Sequence, residues 1–193
     1  MKKHFFLFGA ACILFTSCAT LKKNEPKINP VYITNSKQFT LLPASDIQNT
    51  KNVQQFLSGT YGETEFGVMC YLNADENGIF LSLFNDFGTS LGNFSYDGQK
   101  VSFESSVFPK NTKAEYIIAD LQYAYYSAEA LKNRFTEIGL DFASEEIEVS
   151  GEFKEVRRIL DGKKIIEEIE ITNRNVKIRN FLRNYTYYLE EAE

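Results

Sequence analysis

The stretch from Gly78 to Tyr96 constrains this chain most, because its pattern allows little besides an internal strand, a tight turn and a second strand. Ile79, Leu81 and Leu83 fall on one face of an extended segment and Phe80 and Phe84 on the other, so both faces are expected to be covered. Asn85-Asp86 and Gly88 then give a turn that carries one large apolar residue, Phe87, where turn positions are ordinarily polar. Asp97-Gly98 is a two-residue hairpin signal leading into Val101-Ser102-Phe103, which makes three consecutive antiparallel strands.

Strands dominate on either side. Phe66 to Ala74 alternates and ends in the turn Asp75-Glu76-Asn77-Gly78. Late in the chain Ile147 to Val149, Phe153 to Leu160, Lys164 to Thr172, Val176 to Leu182 and Tyr185 to Leu189 are separated by turn residues, Asp161-Gly162 being the clearest pair. Their interleaved charges predict one wet face. Asp46 to Leu57 is expected to be a short helix. The one long helix expected is Ala114 to Arg134, with Asn111-Thr112 as caps and Gly139 beyond its end. Ile117, Ile118, Leu121 and Tyr125 keep helical spacing on its apolar stripe, and Asp120 and Gln122 are expected on the opposite, polar face. Roughly ten short antiparallel strands and one helix predict a mainly β fold: a curled antiparallel sheet or incomplete barrel, with that stripe as the inner face of a helical lid.

Ahead of these elements, Lys2, Lys3 and His4 precede the apolar run Phe5 to Phe15, which meets Thr16-Ser17-Cys18. This charged, apolar, small-residue order is a secretion signal too short to span a membrane. Leu14 to Cys18 resembles the lipobox of bacterial lipoproteins, which implies cleavage after residue 17, acylation of Cys18 and, from Ala19 behind it, an outer-membrane address. The expected organisation is therefore a signal over 1–17, a proline-broken polar tether over 18–38 and a single domain over 39–193.

Composition narrows the chemistry. Acidic residues number 26 against 21 basic ones, and loss of Lys2 and Lys3 with the signal widens the gap, so nucleic acid is a poor partner. His4, the single histidine, also leaves with the signal, which removes His-based metal sites and Ser-His or Cys-His catalysis. Cys70 falls in the alternating run Phe66, Val68, Cys70, Leu72 and reads as a small buried hydrophobe rather than a nucleophile. Glu145, Glu146 and Glu148, and likewise Glu167, Glu168 and Glu170, read as solvated strand faces. No catalytic residue, metal ligand or cofactor motif is assigned. The chain is instead rich in Phe (17) and Tyr (11). Phe80, Phe84, Phe94 and Phe103 are the candidates to line an apolar cavity in a sheet too wide for its own side chains.

The segment Leu83 to Leu91, followed by alternating strands, resembles the strand-turn-strand of the LolB family, outer-membrane lipoproteins that receive other lipoproteins from a periplasmic carrier. In that family an exposed leucine of the turn is implicated in delivery, which would give Phe87 the role of a membrane or cargo tip. The wider order is similar to uncharacterised lipoproteins of aryl-polyene clusters, a domain-of-unknown-function family. The motifs in question are Leu42-Pro43, Phe87-Gly88, Tyr96-Asp97-Gly98, Ala119-Asp120-Leu121-Gln122, Arg157 to Gly162 and Asn180-Phe181. The resemblance spans most of residues 41 to 190 and implies an incomplete barrel with helices plugging an apolar cavity. It also implies a non-enzymatic lipoprotein, anchored by Cys18 in the outer membrane and facing the periplasm. Such a protein binds an acyl chain, amphiphile or lipoprotein and aids its transfer to or from the membrane, with a periplasmic carrier as partner. The alternative is an accessory lipoprotein that docks an envelope complex without transport.

Overall fold

The computed structural model describes residues 30–192. The expected signal over 1–17, Cys18 and the first part of the tether lie outside these residues. The rest of the expected tether does not behave as one: β1 (Val31–Tyr32) and β2 (Gln38–Phe39) pair as a hairpin, and Val31, Ile33 and Phe39 are buried. Phe39 stacks on Phe135 at 4.9 Å and meets Tyr123 edge-on at 5.1 Å, so the folded part begins at Val31 rather than at Phe39. The signal of alternation was too short, two residues a strand, to be read against the prolines around it.

Ten further strands make one antiparallel sheet. The first five are β3 (Lys51–Tyr61), β4 (Thr64–Asp75), β5 (Gly78–Phe84), β6 (Ser90–Tyr96) and β7 (Val101–Glu104). After the helical segment come β8 (Asp141–Val149), β9 (Glu152–Asp161), β10 (Lys164–Ile171), β11 (Asn175–Asn180) and β12 (Tyr185–Glu191). Each set is an up-and-down meander, and β12 joins them by pairing with β3, giving the order β7-β6-β5-β4-β3-β12-β11-β10-β9-β8. The edges β7 and β8 do not pair with each other, so the sheet curls without closing into a barrel. Its register aligns apolar rows on the inner face. Val53, Leu72, Leu81, Phe94 and Phe103 are successive cross-strand partners, as are Val68, Leu57, Leu189, Val176 and Ile171. Gly78, at φ 141, is required where β4 turns into β5: a Cβ there would lie 1.9 Å from the Tyr96 carbonyl oxygen.

Two expectations fail for the same reason, long-range pairing overriding local pattern. The helix expected over Asp46 to Leu57 is a single 3-10 turn at Ala44–Asp46 followed by β3, whose Val53, Gln55 and Leu57 alternate inward against β4 and β12. The one long helix is two: α1 (Ala114–Tyr125) and α2 (Ala128–Glu137). Tyr126 breaks between them because it forms an antiparallel bridge to Ile47, while the amides of Gln48 and Asn49 donate to the Tyr125 carbonyl. Ser127 then caps α2, its hydroxyl accepting from the Ala130 amide at 3.4 Å. The helices occupy the gap between the unpaired edges, α1 against β6, β7 and β10, and α2 against β8. Ile118, Leu121, Tyr125, Leu131 and Phe135 are all buried in the common core.

Candidate functional site

Between the curled sheet and α1 lies an apolar cavity of about 350 Å³. Its sheet wall is Leu57, Val68, Leu81, Leu83 and Phe94 on one half and Ile178, Tyr187 and Leu189 on the other, the inward alternates of six strands. The opposite wall is Ile117, Asp120 and Leu121 of α1, with Phe108 and Thr112 from the segment before it. The antiparallel order puts the β3–β4 and β5–β6 turns, the segment after β7 and the start of α1 at one end of the sheet. Phe66 and Phe108, both partly exposed, stand at that end and form the mouth. A larger cleft of about 510 Å³ at the opposite end is polar, lined by the Lys51–Glu191 ion pair and by Lys154, Glu155 and Arg174, which suits solvent rather than an apolar guest.

Gly59 permits the aromatic part of the cavity. It faces Phe66 and Tyr187, whose rings meet edge-on at 5.8 Å, and a Cβ at Gly59 would stand 2.3 Å from the Thr186 carbonyl oxygen. The mouth end is tied down by Arg183 of the β11–β12 turn, which donates to the carbonyls of Tyr32 and Ile33 and lies over the Tyr116 ring at 5.0 Å.

Behind the apolar wall sits a buried polar network. The Tyr185 hydroxyl lies 2.9 and 3.1 Å from the two Asp120 carboxyl oxygens, and Asn180 Nδ2 donates to Glu167 Oε2 at 2.7 Å and to the Tyr185 hydroxyl at 3.3 Å. The other oxygen of Glu167 has no hydrogen-bond partner among the described residues. Burial first, and then the charge of Glu167, push the Asp120 carboxyl well above the ordinary carboxylate range, against the pull of Tyr185 and Arg183. Glu167 is pushed up to about 7 by burial, with Asn180 and Arg183 opposing. At neutral pH this pair therefore holds a proton, because two charges cannot share so dry a site.

A second network fixes α1 from the other side. Gln122 pairs with Leu42 in both directions, its Oε1 accepting from the Leu42 amide and its Nε2 donating to the Leu42 carbonyl, each at 2.9 Å. The Tyr96 hydroxyl donates to that same carbonyl at 2.9 Å. Arg157, 1% exposed, closes the C-terminal end of α1 by donating to the carbonyls of Tyr123 and Tyr126.

The expected site residues separate into three groups. Phe94 lines the cavity, and Phe103 backs it, stacked on Phe94 at 4.5 Å. Phe80 does not line it: it points to the outer face, 39% exposed, against Tyr71, and Phe84 lies on that outer face as well, half-buried. The outer face of β5 is thus not covered by a second layer. Among the stripe residues, Ile117 and Leu121 face the cavity, whereas Ile118 and Tyr125 are buried in the core outside it. Phe87 is 92% exposed at the tip of its turn. Asn85 holds that turn, its Oδ1 accepting from the amides of Phe87 (3.0 Å) and Thr89 (2.9 Å), and Gly88 takes φ 75.

Three important residues escaped the sequence. The polar face expected for Asp120 and Gln122 is not there: every residue of α1 from Ile118 to Tyr125 is buried, between the sheet on one side and Leu42 on the other. Asp120 does keep the spacing of Ile117, Leu121 and Ala124, which was the available signal. Glu167, expected on a solvated strand face, is buried: its phase with Ile169 and Ile171 puts it on the inner face, beyond a bulge after Ile165. Cys70 is buried, and burial pushes its thiol up to about 11, the state of an inert packing residue. Among the described residues no group of three His, Cys, Asp or Glu side chains is placed to hold a metal, and no helix is long and apolar enough to cross a membrane.

No curated protein matches the chain. A family model does match, over residues 52–193, from the first strand of the large sheet through both helices to the last strand. By that match the chain belongs to the family described as Protein of unknown function (DUF3261).

Proposed function

We propose that this domain binds a single acyl chain, or an equally narrow amphiphile, in the cavity between the sheet and α1, and passes it to or from a membrane by way of the Phe87 turn. The observation that carries the proposal is the cavity itself, apolar apart from Asp120 and Thr112 and open at the end where Phe87 projects. Its size decides between cargoes. At about 350 Å³ it falls at the low end of ligand pockets, which run from ~300 to 1,000 Å³. That volume suits one chain better than the several chains of a whole lipoprotein, so the likeness to LolB is proposed for the delivery turn rather than for the cargo. The likeness to aryl-polyene lipoproteins and the lipobox around Cys18 favour an outer-membrane anchor facing the periplasm. Insertion of one phenylalanine is worth only about 1.5–3 kcal/mol, and Asp86 beside it resists an anionic surface. The tip is therefore a transient contact, effective because the lipid anchor keeps it near the bilayer. The role is binding and transfer rather than catalysis.

Native mass spectrometry of the protein purified from cells is expected to find one co-purified lipid chain per molecule, exchangeable for an environment-sensitive apolar dye. Phe87→Glu should bind the dye as before and melt within about 2 °C of the native protein, since exposed substitutions rarely exceed about 0.5 kcal/mol. Its delivery of bound dye to liposomes should slow at least about tenfold, the equivalent of ~1.4 kcal/mol at the transfer step. Neither lipid nor dye in the native protein would overturn the proposal and favour the accessory role. Unchanged delivery by Phe87→Glu would remove the tip from it.

A further inference from the structure

The loops at the mouth of the cavity carry apolar side chains that the loops at its other end lack. Tyr61 ends β3, Phe87 tips the β5–β6 turn, Val107 and Phe108 lie in the segment after β7, and Phe181 and Leu182 lie in the β11–β12 turn, all six exposed. At the opposite end the same strands turn through Asp75-Glu76-Asn77, Asp97 to Lys100 and Thr172-Asn173-Arg174, without a large apolar residue. The β9–β10 turn at the mouth end, Asp161-Gly162-Lys163, is equally polar, and neither of its strands lines the cavity. Apolar exposure therefore follows the mouth rather than the turns in general.

Three of these loops are built alike. Asn85 Oδ1 accepts from the Phe87 amide, Ser105 Oγ from the Val107 amide at 3.0 Å and Asn180 Oδ1 from the Leu182 amide at 3.1 Å, each two residues on. The same three oxygens accept a second amide, that of Thr89, Phe108 and Arg183 respectively. The capping side chain fixes the loop, and the apolar residue it holds stays in water, Val107 63% exposed and Leu182 39%. Such exposure is unfavourable at every loop, and an apolar surface against the mouth would relieve it.

The occupant follows from where the chain comes in. Arg183 of the β11–β12 turn donates to the Tyr32 and Ile33 carbonyls, and the Tyr32 amide donates to the Tyr116 hydroxyl in the first turn of α1, so the domain begins at its mouth end. Cys18, the expected anchor, stands thirteen residues ahead of Val31, at most about 45 Å of chain. An acylated Cys18 holds this end of the domain within that reach of the bilayer. Charge does not oppose the contact, because the exposed acids Glu63 and Asp86 are offset by the exposed cations Lys110 and Lys113. A rim of mixed charge neither demands nor rejects an anionic surface and leaves the attraction to apolar contact.

We infer that Val107, Phe108, Phe181 and Leu182 join Phe87 in a rim that seats on the bilayer carrying the Cys18 anchor, so that the cavity mouth opens onto lipid. This rests on the transfer reading above and adds an orientation to it. Each side chain inserts weakly, and several on separate loops set a pose that one tip cannot.

The test is site-directed quenching on the full chain, purified from cells and reconstituted into phosphatidylcholine vesicles that contain a spin-labelled lipid. Cys70 is buried and its thiol is pushed up to about 11, so an environment-sensitive fluorophore goes to a thiol introduced at a chosen exposed position. Probes at Val107→Cys and Leu182→Cys are expected to lose most of their fluorescence, whereas a probe at Glu76→Cys in the opposite turn keeps it. Adding phosphatidylglycerol should leave that pattern unchanged. Val107→Glu combined with Leu182→Glu should bind the apolar dye and melt as the native protein does, yet slow its delivery to vesicles by at least about tenfold. Quenching at Phe87→Cys alone would overturn the rim and leave the single tip of the parent reading in place. Equal quenching at Glu76→Cys would overturn the orientation, and quenching only with phosphatidylglycerol would assign the contact to Lys110 and Lys113 instead. No quenching at any mouth position would overturn the inference and leave the rim to a protein partner. A native protein that takes up no dye would instead fall on the parent reading, with quenching still deciding the rim.

Discussion

Arg157→Ala is expected to lower the stability of the domain by about 3–5 kcal/mol, the cost of breaking a buried, hydrogen-bonded charge. At ~2–4 °C per kcal/mol for a domain of this size, the melting temperature should fall by roughly 10 °C. Register puts Arg157 on the inner face of the sheet in one row with Ile169 and Ile178. There its Nη1 donates to the carbonyls of Tyr123 at 2.9 Å and Tyr126 at 2.7 Å, while Nε and Nη2 hold both oxygens of Glu155 at 2.7 and 3.2 Å. Those two carbonyls belong to the last turn of α1 and the break after it, groups that a helix cannot satisfy internally. Alanine strands them in a dry site and leaves Glu155, which burial pushes up and Arg157 and Ser144 pull down, without its strongest partner. Lysine cannot serve both carbonyls and a bidentate carboxylate from one ammonium group, so Arg157→Lys should recover only part of the loss. Thermal unfolding of the three proteins measures this. An alanine variant melting within about 3 °C of the native protein would mean that the end of α1 finds other donors.

Glu167→Gln is expected to act in the opposite direction and only at the alkaline end. The ordinary value for this carboxyl is 4.5 and the folded one about 7. Between those limits the folded chain holds a proton that the unfolded chain has released, so stability falls as pH rises through that window and is constant above it. The loss accumulates to roughly 3 kcal/mol by pH 7, at about 1.4 kcal/mol per unit. Glutamine carries no charge to desolvate and still offers an oxygen to Asn180 Nδ2. The variant should match the native protein at pH 4 to 5 and gain on the order of 2–3 kcal/mol at pH 8. The slope should flatten without vanishing, because Asp120 is raised by its own burial and loses only the contribution of the Glu167 charge. A variant less stable than the native protein at pH 8 would show that the folded state uses the Glu167 charge.

What could be read in the sequence was whatever local chemistry fixes. The three strands from Gly78 to Glu104 and the meander from Glu152 to Glu191 follow from period-two alternation between glycine, asparagine and aspartate turns, and the sheet has them. The turn that carries Phe87 was legible from Asn85-Asp86 and Gly88. Features set at long range were not. Lys51 to Tyr61 is a strand because β4 and β12 flank it, and α1 stops at Tyr125 because Ile47 arrives there. The outward turn of Phe80 and Phe84 follows from the sheet having a single covered face, which no pattern within one strand reveals. Glu167 and Arg157 were hidden by their type: charged residues in strands are usually wet, and only their phase with neighbouring isoleucines marks them as inward.

The pairing of β3 with β12 has a consequence for how the chain reaches this state. The seam at the middle of the sheet joins its first long strand to its last, with Leu57 opposite Leu189, and an ion pair between Lys51 and Glu191 ties the start of β3 to the end of β12. During synthesis, the first meander emerges with its inner apolar face bare and waits for almost the whole chain before its neighbour exists. Contacts of such high sequence separation fold slowly, and the half-sheets that precede them are sticky. The same seam completes the cavity, whose sheet wall takes residues from both meanders and is whole only once the last strand is in place.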